Sequence, residues 1–235
     1  VSDVQQIMSA LRLYDVHQLL VGKKVLVTAG PTREPMDPVR YISNYSSGKM
    51  GYAMAEAAAM AGAQVTLISG PTSLQASIGI KRTQVESAQE MLDAVMQEMP
   101  TGGIFIGTAA VADYRVESPA SEKMKKKNHE EMTLKLIKNP DILSRVADST
   151  RASCVVGFAA ETTDVVHYAT EKLQRKKLDM IVANSVGKGL GFDSEENQVI
   201  VITKNKQIEL PLTHKTRLAG QLIAIIAATL QNDAH

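Results

Sequence analysis

Two serines and a glycine, Ser46-Ser47-Gly48, stand at the start of residues 48–61, an alanine- and methionine-rich segment typical of a helix. The first N–H groups of a helix lack partners inside it, and the helix dipole places partial positive charge at that end. These groups, the serine hydroxyls and a glycine that permits close approach suit a phosphate. A serine can equally do no more than cap the helix. We predict an anion-binding turn, because an unusually long loop, residues 30–48, leads into it from the first predicted strand.

Two common nucleotide-binding motifs do not fit this loop. A Walker A motif requires glycine five positions before Gly48 and Ser or Thr after Lys49, but Ser43 and Met50 occupy these positions. The dinucleotide-binding pattern G-x-G-x-x-G does not follow the predicted strand at 25–27. The loop is therefore predicted to bind its anion in another way.

Further polar residues follow predicted strands or lie on predicted helices. Asp113 follows the predicted strand at 104–106 and could meet a ribose hydroxyl, a base edge or a metal, or form only an Asx turn. The lysines of residues 122–127 could form a flexible flap over a triphosphate or a solvated charged run. Lys172 and Lys176 are four apart and share one helix face, where they could clamp phosphates or remain solvated.

Three more features have two interpretations from the residues alone. Asn139 and Pro140 are predicted as the N-cap and first residue of a helix, whose N-terminus could also hold a ligand. Phe158, at the end of a predicted strand, could stack on a base or belong to the core. Tyr168 and Lys172 have the spacing found in short-chain dehydrogenases, although chance readily produces this spacing and the glycine motif is missing.

The elements that must position these residues alternate between strands and helices. Strands are predicted at 25–27, 65–68, 81–85, 104–106, 134–137, 155–158 and 180–182. Helices are predicted at 48–61, 88–99, 140–147, 163–177 and 213–230. Two strands at 199–202 and 208–210 flank a polar turn and indicate a hairpin. This order predicts an α/β fold, a Rossmann-like, doubly wound and mostly parallel sheet with a small antiparallel hairpin appended.

Composition excludes several function classes. The chain has 235 residues, is 44% hydrophobic and has a net charge of +1, so no global field attracts it to nucleic acid or to a membrane. No apolar run reaches membrane-spanning length. The single cysteine, Cys154, fits a reducing compartment, and we expect a cytoplasmic protein. The chain begins at Val1 rather than Met, which suggests a fragment of a longer protein or a processed one.

Taken in order along the chain, the motifs resemble the bacterial phosphopantothenate–cysteine ligase family. The resemblance rests on residues 28–34, 39–44, 46–51, 109–114, 123–126, 138–141, 157–162 and 183–184. It covers nearly the whole chain from Lys23 onward. It implies a CTP-dependent ligase of coenzyme A biosynthesis that joins 4′-phosphopantothenate to L-cysteine. CTP would activate the carboxylate as an acyl-cytidylate with release of pyrophosphate, and the cysteine amine would then displace CMP.

The resemblance also implies roles for individual residues. Asn44 and Arg40 would contact the acyl-cytidylate, and Lys123 would act from the flap as a third catalytic residue. The implied CTP site consists of Asp113, Lys123, Asn139, Pro140, Asp141, Ile142, Phe158, Lys172 and Lys176. Because these lysines serve the triphosphate, we expect the anion-binding turn to hold the phosphate of phosphopantothenate instead. The predicted phosphopantothenate site is Asn44, Ser46, Ser47, Gly48 and Asn184.

Cofactors, partners and domain limits also follow from the resemblance. Mg²⁺ or Mn²⁺ would accompany CTP, and FMN would belong only to a decarboxylase half that precedes the ligase in bifunctional members. A homodimer with its active site near the subunit interface is expected, acting on small molecules without nucleic acid or membrane. Residues 1–22, with a short helix near Val4 to Leu13, would form the junction, and residues 23–235 the ligase domain. A short-chain-type oxidoreductase and a non-catalytic nucleotide sensor are the alternatives.

Overall fold

The computed structural model describes residues 18–125, 132–161, 163–185 and 194–232. The helix predicted near Val4 therefore lies outside the described residues, as do residues 126–131, which include the last two lysines of the predicted flap. In chain order the strands are β1 (Lys24–Ala29), β2 (Arg33–Pro35), β3 (Tyr41–Ser43), β4 (Gln64–Ser69), β5 (Lys81–Gln84), β6 (Gly103–Gly107), β7 (Tyr114–Val116), β8 (Leu136–Lys138), β9 (Ala152–Glu161), β10 (Met180–Ser185), β11 (Glu196–Thr203) and β12 (Gln207–His214). The helices are α1 (Lys49–Met60), α2 (Ala88–Glu98), α3 (Ile142–Asp148), α4 (Val165–Arg175) and α5 (Lys215–Asn232).

The central sheet has eight strands in the order β12-β11-β10-β9-β6-β1-β4-β5. The six strands from β10 to β5 are parallel neighbours, and β11 and β12 extend the sheet as an antiparallel hairpin. Counted along the chain, the parallel strands follow the 3-2-1-4-5-6 order of a doubly wound fold. The predicted α/β fold with an appended hairpin is confirmed.

Helices cover both faces of this sheet. α1 and α5 pack against one face, where alternate strand residues such as Val25 and Ile104 are fully buried. α2, α3 and α4 pack against the other face, which includes the intervening residues Leu26 and Phe105. A parallel strand buried on both sides must be apolar at every position, which explains why these strands were recognisable as continuous apolar runs. No described helix has the length and apolar character needed to cross a membrane.

Two local predictions differ from the structure. The loop at 30–48, predicted to be irregular, contains the hairpin of β2 and β3. This hairpin is attached to the start of α2, where the buried Glu34 carboxylate accepts the Ala88 N–H over 2.9 Å. The strand predicted at 134–137 is displaced to β8, which pairs with β7 in a separate two-stranded arm rather than joining the central sheet.

The predicted N-cap of the helix after β8 was wrong. α3 begins two residues later than expected, with Asp141 as its N-cap, and the Asp141 carboxylate accepts the Ser144 N–H at 3.2 Å. The side chain of Asn139 is already engaged elsewhere, since its amide nitrogen donates to the Ala112 carbonyl at 2.8 Å. The carboxylate two residues further on therefore caps the helix.

The segment before residue 23 takes part in the fold where it is described. Leu20 is 1% exposed and belongs to the core beneath α1. Its N–H donates to the Ala61 carbonyl at the end of α1, over 2.9 Å. The domain boundary at residue 23 stays a prediction.

Gly51 brings the first turn of α1 into close contact with the ends of β1 and β6. A Cβ atom at this position would lie 2.4 Å from Thr108 Oγ1 and 2.5 Å from Ala29 Cβ, well inside van der Waals contact. We expect Gly51→Ala to destabilise the protein by about 1–3 kcal/mol, because overpacking displaces the helix. Thermal unfolding should show a melting temperature lower by about 2–10 °C. An unchanged melting temperature would show that the helix shifts at no cost.

Candidate active site

The two strands at the centre of the sheet, β1 and β6, send their connections in opposite directions. β1 is followed by α1 and β4 on one side, whereas β6 leads to β9 on the other. Ligands of doubly wound folds bind in the crevice that opens at such a switch point. Here the loop after β1 and the loop after β6 are hydrogen-bonded where they leave the sheet, since the Ala110 N–H donates to the Gly30 carbonyl at 2.9 Å. Binding space is therefore left on either side of the loop that follows β6.

One cleft, the α1 cleft, lies where the N-terminus of α1 faces the loop after β6. Its volume is about 560 Å³. Its polar lining comprises Asn44, Ser46, Ser47, Gly48, Lys49, Asp113, Glu161, Lys172, Asn184, Asn197 and Lys215. All five residues of the predicted phosphopantothenate site line this cleft.

The turn at the start of α1 differs from a simple serine cap. The N-cap residue is Gly48, in the left-handed region at φ +77°, where glycine is favoured because it has no Cβ. Ser46 lies before the cap, and its hydroxyl accepts the Gly48 N–H at 3.3 Å. Gly48 also lies close to other parts of the chain, because a Cβ there would lie 2.9 Å from Thr72 Cγ2 and 3.5 Å from Gly30 Cα. The turn therefore directs the first N–H groups of α1 towards the α1 cleft.

A second cleft, the α4 cleft, opens on the other side of the same loop. Its volume is about 510 Å³, and it lies between the start of α3 and the last turn of α4. Its lining includes Asp113, Asn139, Pro140, Asp141, Ile142, Phe158, Lys172 and Lys176. The structure thus brings together every residue of the predicted CTP site except Lys123.

The two clefts share a wall. The residues common to both linings are Ala109, Val111, Asp113, Phe158 and Lys172. Lys172 extends from α4 and donates from Nζ to the Phe158 carbonyl at 3.1 Å. A cation at this position can interact with ligands in both clefts at once.

The environment of Lys172 disfavours its charged form. Burial lowers the pKa of the Lys172 ammonium, and the neighbouring charge of Lys176 acts in the same direction. The carboxylates of Glu161, Asp141 and Asp113 act in the opposite direction without outweighing burial. The negative charge of a bound ligand would favour the charged form of Lys172 and so offset the effect of burial on its pKa.

Lys176, one turn further along α4, has a carboxylate partner. Its Nζ lies 2.7 Å from Asp141 Oδ2, and its side chain is only 16% exposed. Burial would raise the pKa of Asp141, but the hydrogen bonds from Lys176 and from the Ser144 N–H hold it below its ordinary value. This pair closes the far end of the α4 cleft and fixes the start of α3 to α4.

Amides hold the loop between the clefts in place. Asn44 donates from Nδ2 to the Val111 carbonyl at 3.0 Å, from the α1 side. Asn139 donates to the Ala112 carbonyl, and its own backbone N–H donates to the Asp113 carbonyl at 2.8 Å, from the α4 side. Asn44 uses one N–H of its amide in this bond, so the second N–H and the amide oxygen remain available to a ligand.

The structure does not place Arg40 or Lys123 in either cleft. Arg40 forms an ion pair with the buried Asp37, with 2.6 Å between Nη2 and Oδ2. This contact is the largest cause of an Asp37 pKa well below the ordinary value. Lys123 is exposed on the described part of the predicted flap, next to Met124.

Sequence reasoning missed two lysines and one amide of the α1 cleft: Lys49, Lys215 and Asn197. Lys215, the first residue of α5, is only 5% exposed, and Asn197 of β11 is 8% exposed. Lys49 follows the turn directly and pairs with Glu195 at 2.5 Å. The sequence offered a signal only for Lys49, by its position next to Gly48.

The described structure assembles neither the Tyr168–Lys172 pair of a short-chain oxidoreductase nor a cluster of three metal ligands. Tyr168 is 46% exposed and lies outside both clefts, so it does not join Lys172 at one site. Among the described residues, no three histidine, cysteine, aspartate or glutamate side chains come together as a metal site. The groups that line the clefts include lysines, amides and the carboxylates of Asp113, Asp141 and Glu161.

Comparison with known proteins agrees with this arrangement. Residues 20–230 match the family described as DNA/pantothenate metabolism flavoprotein C-terminal domain. The Coenzyme A biosynthesis bifunctional protein CoaBC of Vibrio cholerae is 52% identical over 212 residues, which cover 89% of this chain and 53% of that protein. The protein of the same name from Bacillus subtilis is 46% identical over 212 residues, covering 89% of this chain and 52% of that protein. The chain thus spans about half the length of the curated relatives it matches.

Solved structures show the same fold. The crystal structure of the C-terminal domain of a CoaBC protein matches with a TM-score of 0.77 and 41% identity, over 92% of this chain and 99% of that one. A Cab2 mutant in complex with phosphopantothenate-cysteine matches with a TM-score of 0.74 and 18% identity, over 98% of this chain and 94% of that one, which shows the fold alone. The resemblance seen in the sequence motifs is confirmed. This chain belongs to the DNA/pantothenate metabolism flavoprotein C-terminal domain family.

Proposed function

We propose that the chain is a CTP-dependent phosphopantothenate–cysteine ligase of coenzyme A biosynthesis. The observation that carries this proposal is the pair of adjoining clefts with Lys172 in their shared wall. Two anionic substrates that must react with each other need neighbouring sites and a cation between them. The names of the relatives, which are coenzyme A biosynthesis proteins, support the assignment.

The proposal assigns CTP to the α4 cleft. Lys172 and Lys176 offer positive charge there, and Phe158 offers an aromatic surface for a base. Asp113 provides a carboxylate acceptor at the mouth, the kind of group that can accept from the amino group of cytosine. CTP would lie with its α-phosphate towards Lys172, the residue that reaches the other cleft.

The proposal assigns 4′-phosphopantothenate to the α1 cleft. Its phosphate would meet the N–H groups after Gly48, with the buried Lys215 as a nearby cation. Asn184 and Asn197 add amide donors to the same cleft. The carboxylate at the other end of the substrate would then point to the wall that contains Lys172 and Asp113.

The chain's own residues can support both steps without an enzyme nucleophile. The substrate carboxylate attacks the α-phosphorus of CTP, the bond from that phosphorus to the β-phosphate oxygen breaks, and pyrophosphate leaves. Lys172 stabilises the negative charge that accumulates where the two anions meet. The cysteine amine then attacks the acyl carbon, the bond to the CMP oxygen breaks, and a proton leaves the nitrogen. The Asn44 amide would hold the acyl group during this second step.

We further propose that Mg²⁺ or Mn²⁺ enters with the triphosphate. Mg²⁺ at nucleotide sites is held largely by phosphates and water, with only one or two carboxylates from the protein. Such an ion does not require a cluster of three protein ligands, and the described residues contain none. The ion would screen the charge repulsion between the two substrates.

The wider context is also a proposal. Because the relatives are named as bifunctional and the chain matches about half of their length, we propose that it works as the ligase part of such a protein. FMN would then be a cofactor of the decarboxylase part only. We also propose a homodimer and a cytoplasmic location, with which the single buried Cys154 is consistent.

Product analysis tests the proposed function. The protein is incubated with 4′-phosphopantothenate, CTP, L-cysteine and MgCl₂, and the products are identified by mass spectrometry. We expect phosphopantothenoylcysteine and CMP, with no product when any one substrate is omitted. A nucleotide sensor would bind CTP without forming product. An oxidoreductase would quench or enhance NADPH fluorescence on binding, a change that the ligase should not produce.

Asn44→Asp should separate the two steps. The aspartate would place a carboxylate oxygen against the Val111 carbonyl, where Asn44 now donates a hydrogen bond, so its side chain would turn away. We expect the acyl-cytidylate to form and persist, with product formation slowed by about 100-fold, the cost typical of losing one positioned donor. Rapid-quench analysis with radiolabelled CTP measures both rates. Product formation at the wild-type rate would remove Asn44 from the second step.

A further inference from the structure

The turn of the β2–β3 hairpin contains a carboxylate surrounded by donors. Asp37 is 4% exposed, and its Oδ1 accepts the N–H groups of Val39 and Arg40, both at 2.8 Å. Its Oδ2 accepts the Arg40 guanidinium, at 3.0 Å from Nε and 2.6 Å from Nη2. Oδ2 also accepts the Met124 N–H at 3.1 Å, from a segment 87 residues further along the chain.

Arg40 completes a closed arrangement. Its Nη2 donates a second time, to the Met124 carbonyl at 2.8 Å. Both backbone groups of Met124 are therefore bound by side chains of the hairpin. One further bond, from the Ala120 N–H to the Met36 carbonyl at 2.9 Å, joins the same two segments. We call Asp37, Arg40 and Met124 the clasp.

The clasp connects two arms that begin at different clefts. The β2–β3 hairpin leads directly into Asn44 and the α1 cleft. The β7–β8 arm starts beside Asp113 and returns to Asn139, both in the lining of the α4 cleft. Lys123 precedes Met124, so the clasp fixes the backbone next to the lysine that the family resemblance implies is catalytic.

We propose that Asp37 and Arg40 are positioning residues that act as one unit, holding the Lys123 segment against the β2–β3 hairpin for the ligase reaction. The role given to Lys123 rests on the proposed function. Arg40 would then act through Met124 rather than through contact with the intermediate. Asp37 would be as important as Arg40, although its carboxylate is buried and lines neither cleft.

The identity of the groups around Asp37 makes an isosteric test possible. All five groups that face the carboxylate are donors, so an asparagine must turn its own NH₂ towards at least one of them. Asp37→Asn therefore opens the clasp with almost no change in volume. Arg40→Gln opens it from the exposed side, and it carries the test if the buried substitution does not fold.

Limited trypsin digestion measures, without an activity assay, how firmly the segment around Met124 is held against the β2–β3 hairpin. Lys123 and Lys125 are the trypsin sites on either side of Met124, and cleavage at each is followed by mass spectrometry of the fragments. The cleavage rates follow the population in which the backbone is released. We expect cleavage there to accelerate by at least about tenfold in Asp37→Asn and in Arg40→Gln, because charge-assisted bonds are lost. Glu117→Gln is the matched control, since it breaks an exposed ion pair with Lys135 on the same arm but leaves the clasp intact.

The double variant decides whether the two residues form one unit. If they do, Asp37→Asn/Arg40→Gln is cleaved no faster than the faster single variant, and all three show a similar loss of CTP affinity by calorimetry. Wild-type cleavage rates in both single variants, or additive effects in the double variant, would overturn the proposal. Failure of the ligase function is distinguishable, because the wild-type protein would then make no product while the digestion pattern persisted.

Discussion

Replacing Lys172 with methionine is expected to lower kcat/KM of the proposed ligase reaction by about 100- to 1,000-fold, the range typical of losing one preorganised electrostatic group. The same substitution should make the ligand-free protein more stable. Lys172 lies in the wall between the two clefts, where the substrate carboxylate and the α-phosphate must meet. Its buried ammonium has a lowered pKa, and methionine fills similar space without a charge. We expect a gain of about 1 kcal/mol in the free energy of unfolding.

The stability gain has a predictable pH dependence. Because the folded pKa of Lys172 lies below the ordinary 10.5, the folded state binds fewer protons than the unfolded chain between these two values. Wild-type stability therefore rises with pH across this interval. The advantage of Lys172→Met should be complete below the lowered pKa and should shrink as the pH approaches 10.5.

Thermal unfolding between pH 7 and pH 10.5, with steady-state kinetics at pH 7, measures these effects. Lys177→Met is the control, since its side chain is 76% exposed and pairs only at the surface with Asp148. It should change neither the activity nor the pH dependence. A Lys172→Met protein that keeps wild-type turnover, or that is less stable at pH 7, would contradict the role assigned to the shared wall.

Replacing Lys215 with methionine should raise KM for 4′-phosphopantothenate by about 100-fold and leave KM for CTP nearly unchanged. Lys215 lies in the α1 cleft with its residue only 5% exposed, so its interaction with a phosphate would be weakly screened by water. Hydrogen bonds to charged groups contribute about 1.5–3 kcal/mol, which corresponds to roughly 10- to 150-fold in affinity. Lys215 does not line the α4 cleft, which explains the expected selectivity.

Lys49→Met is the matched comparison for Lys215. Lys49 lines the same cleft, but its side chain is 30% exposed, so water screens its charge. We expect its KM effect to stay below about tenfold, as is usual for a solvated cation. Initial rates with each substrate varied in turn give both constants. Equal increases in KM for 4′-phosphopantothenate and for CTP would contradict a role for Lys215 at the phosphate and would indicate that it only stabilises the packing of the domain.

Local sequence patterns predicted the elements whose residue types follow from their own burial and turn conformation. The parallel strands inside the sheet are largely apolar because both of their faces are covered, whereas the edge strand β5 is polar. The appended hairpin has a polar turn between alternating strands. The β2–β3 hairpin escaped prediction because each strand has only three residues, too few to show periodicity, and because β2 contains Pro35. Asn139 was wrongly assigned as a helix cap because Asp141, two residues later, can play the same role, and only the fold engages Asn139 elsewhere.

The candidate site was likewise predicted in part, where local motifs indicate it, and missed where residues distant in sequence come together. Motif resemblance identified the residues that line each cleft close to the loops after β1 and β6. Lys215 and Asn197 were missed because they come from the C-terminal hairpin and helix, far along the chain from Gly48. The bond between Asp37 and Met124 spans 87 residues and has no local pattern. Such contacts depend on how the completed sheet brings its loops together.

Pyrophosphate release in the absence of cysteine is the most direct test of the central claim, that the two clefts bring a carboxylate and a nucleotide together. The protein is mixed with 4′-phosphopantothenate, CTP and MgCl₂, and pyrophosphate and CMP are measured separately. We predict a burst of pyrophosphate equal to the enzyme concentration, with CMP appearing at a comparable rate only after L-cysteine is added. Pyrophosphate release that is independent of 4′-phosphopantothenate, or no release from correctly folded protein, would contradict the account.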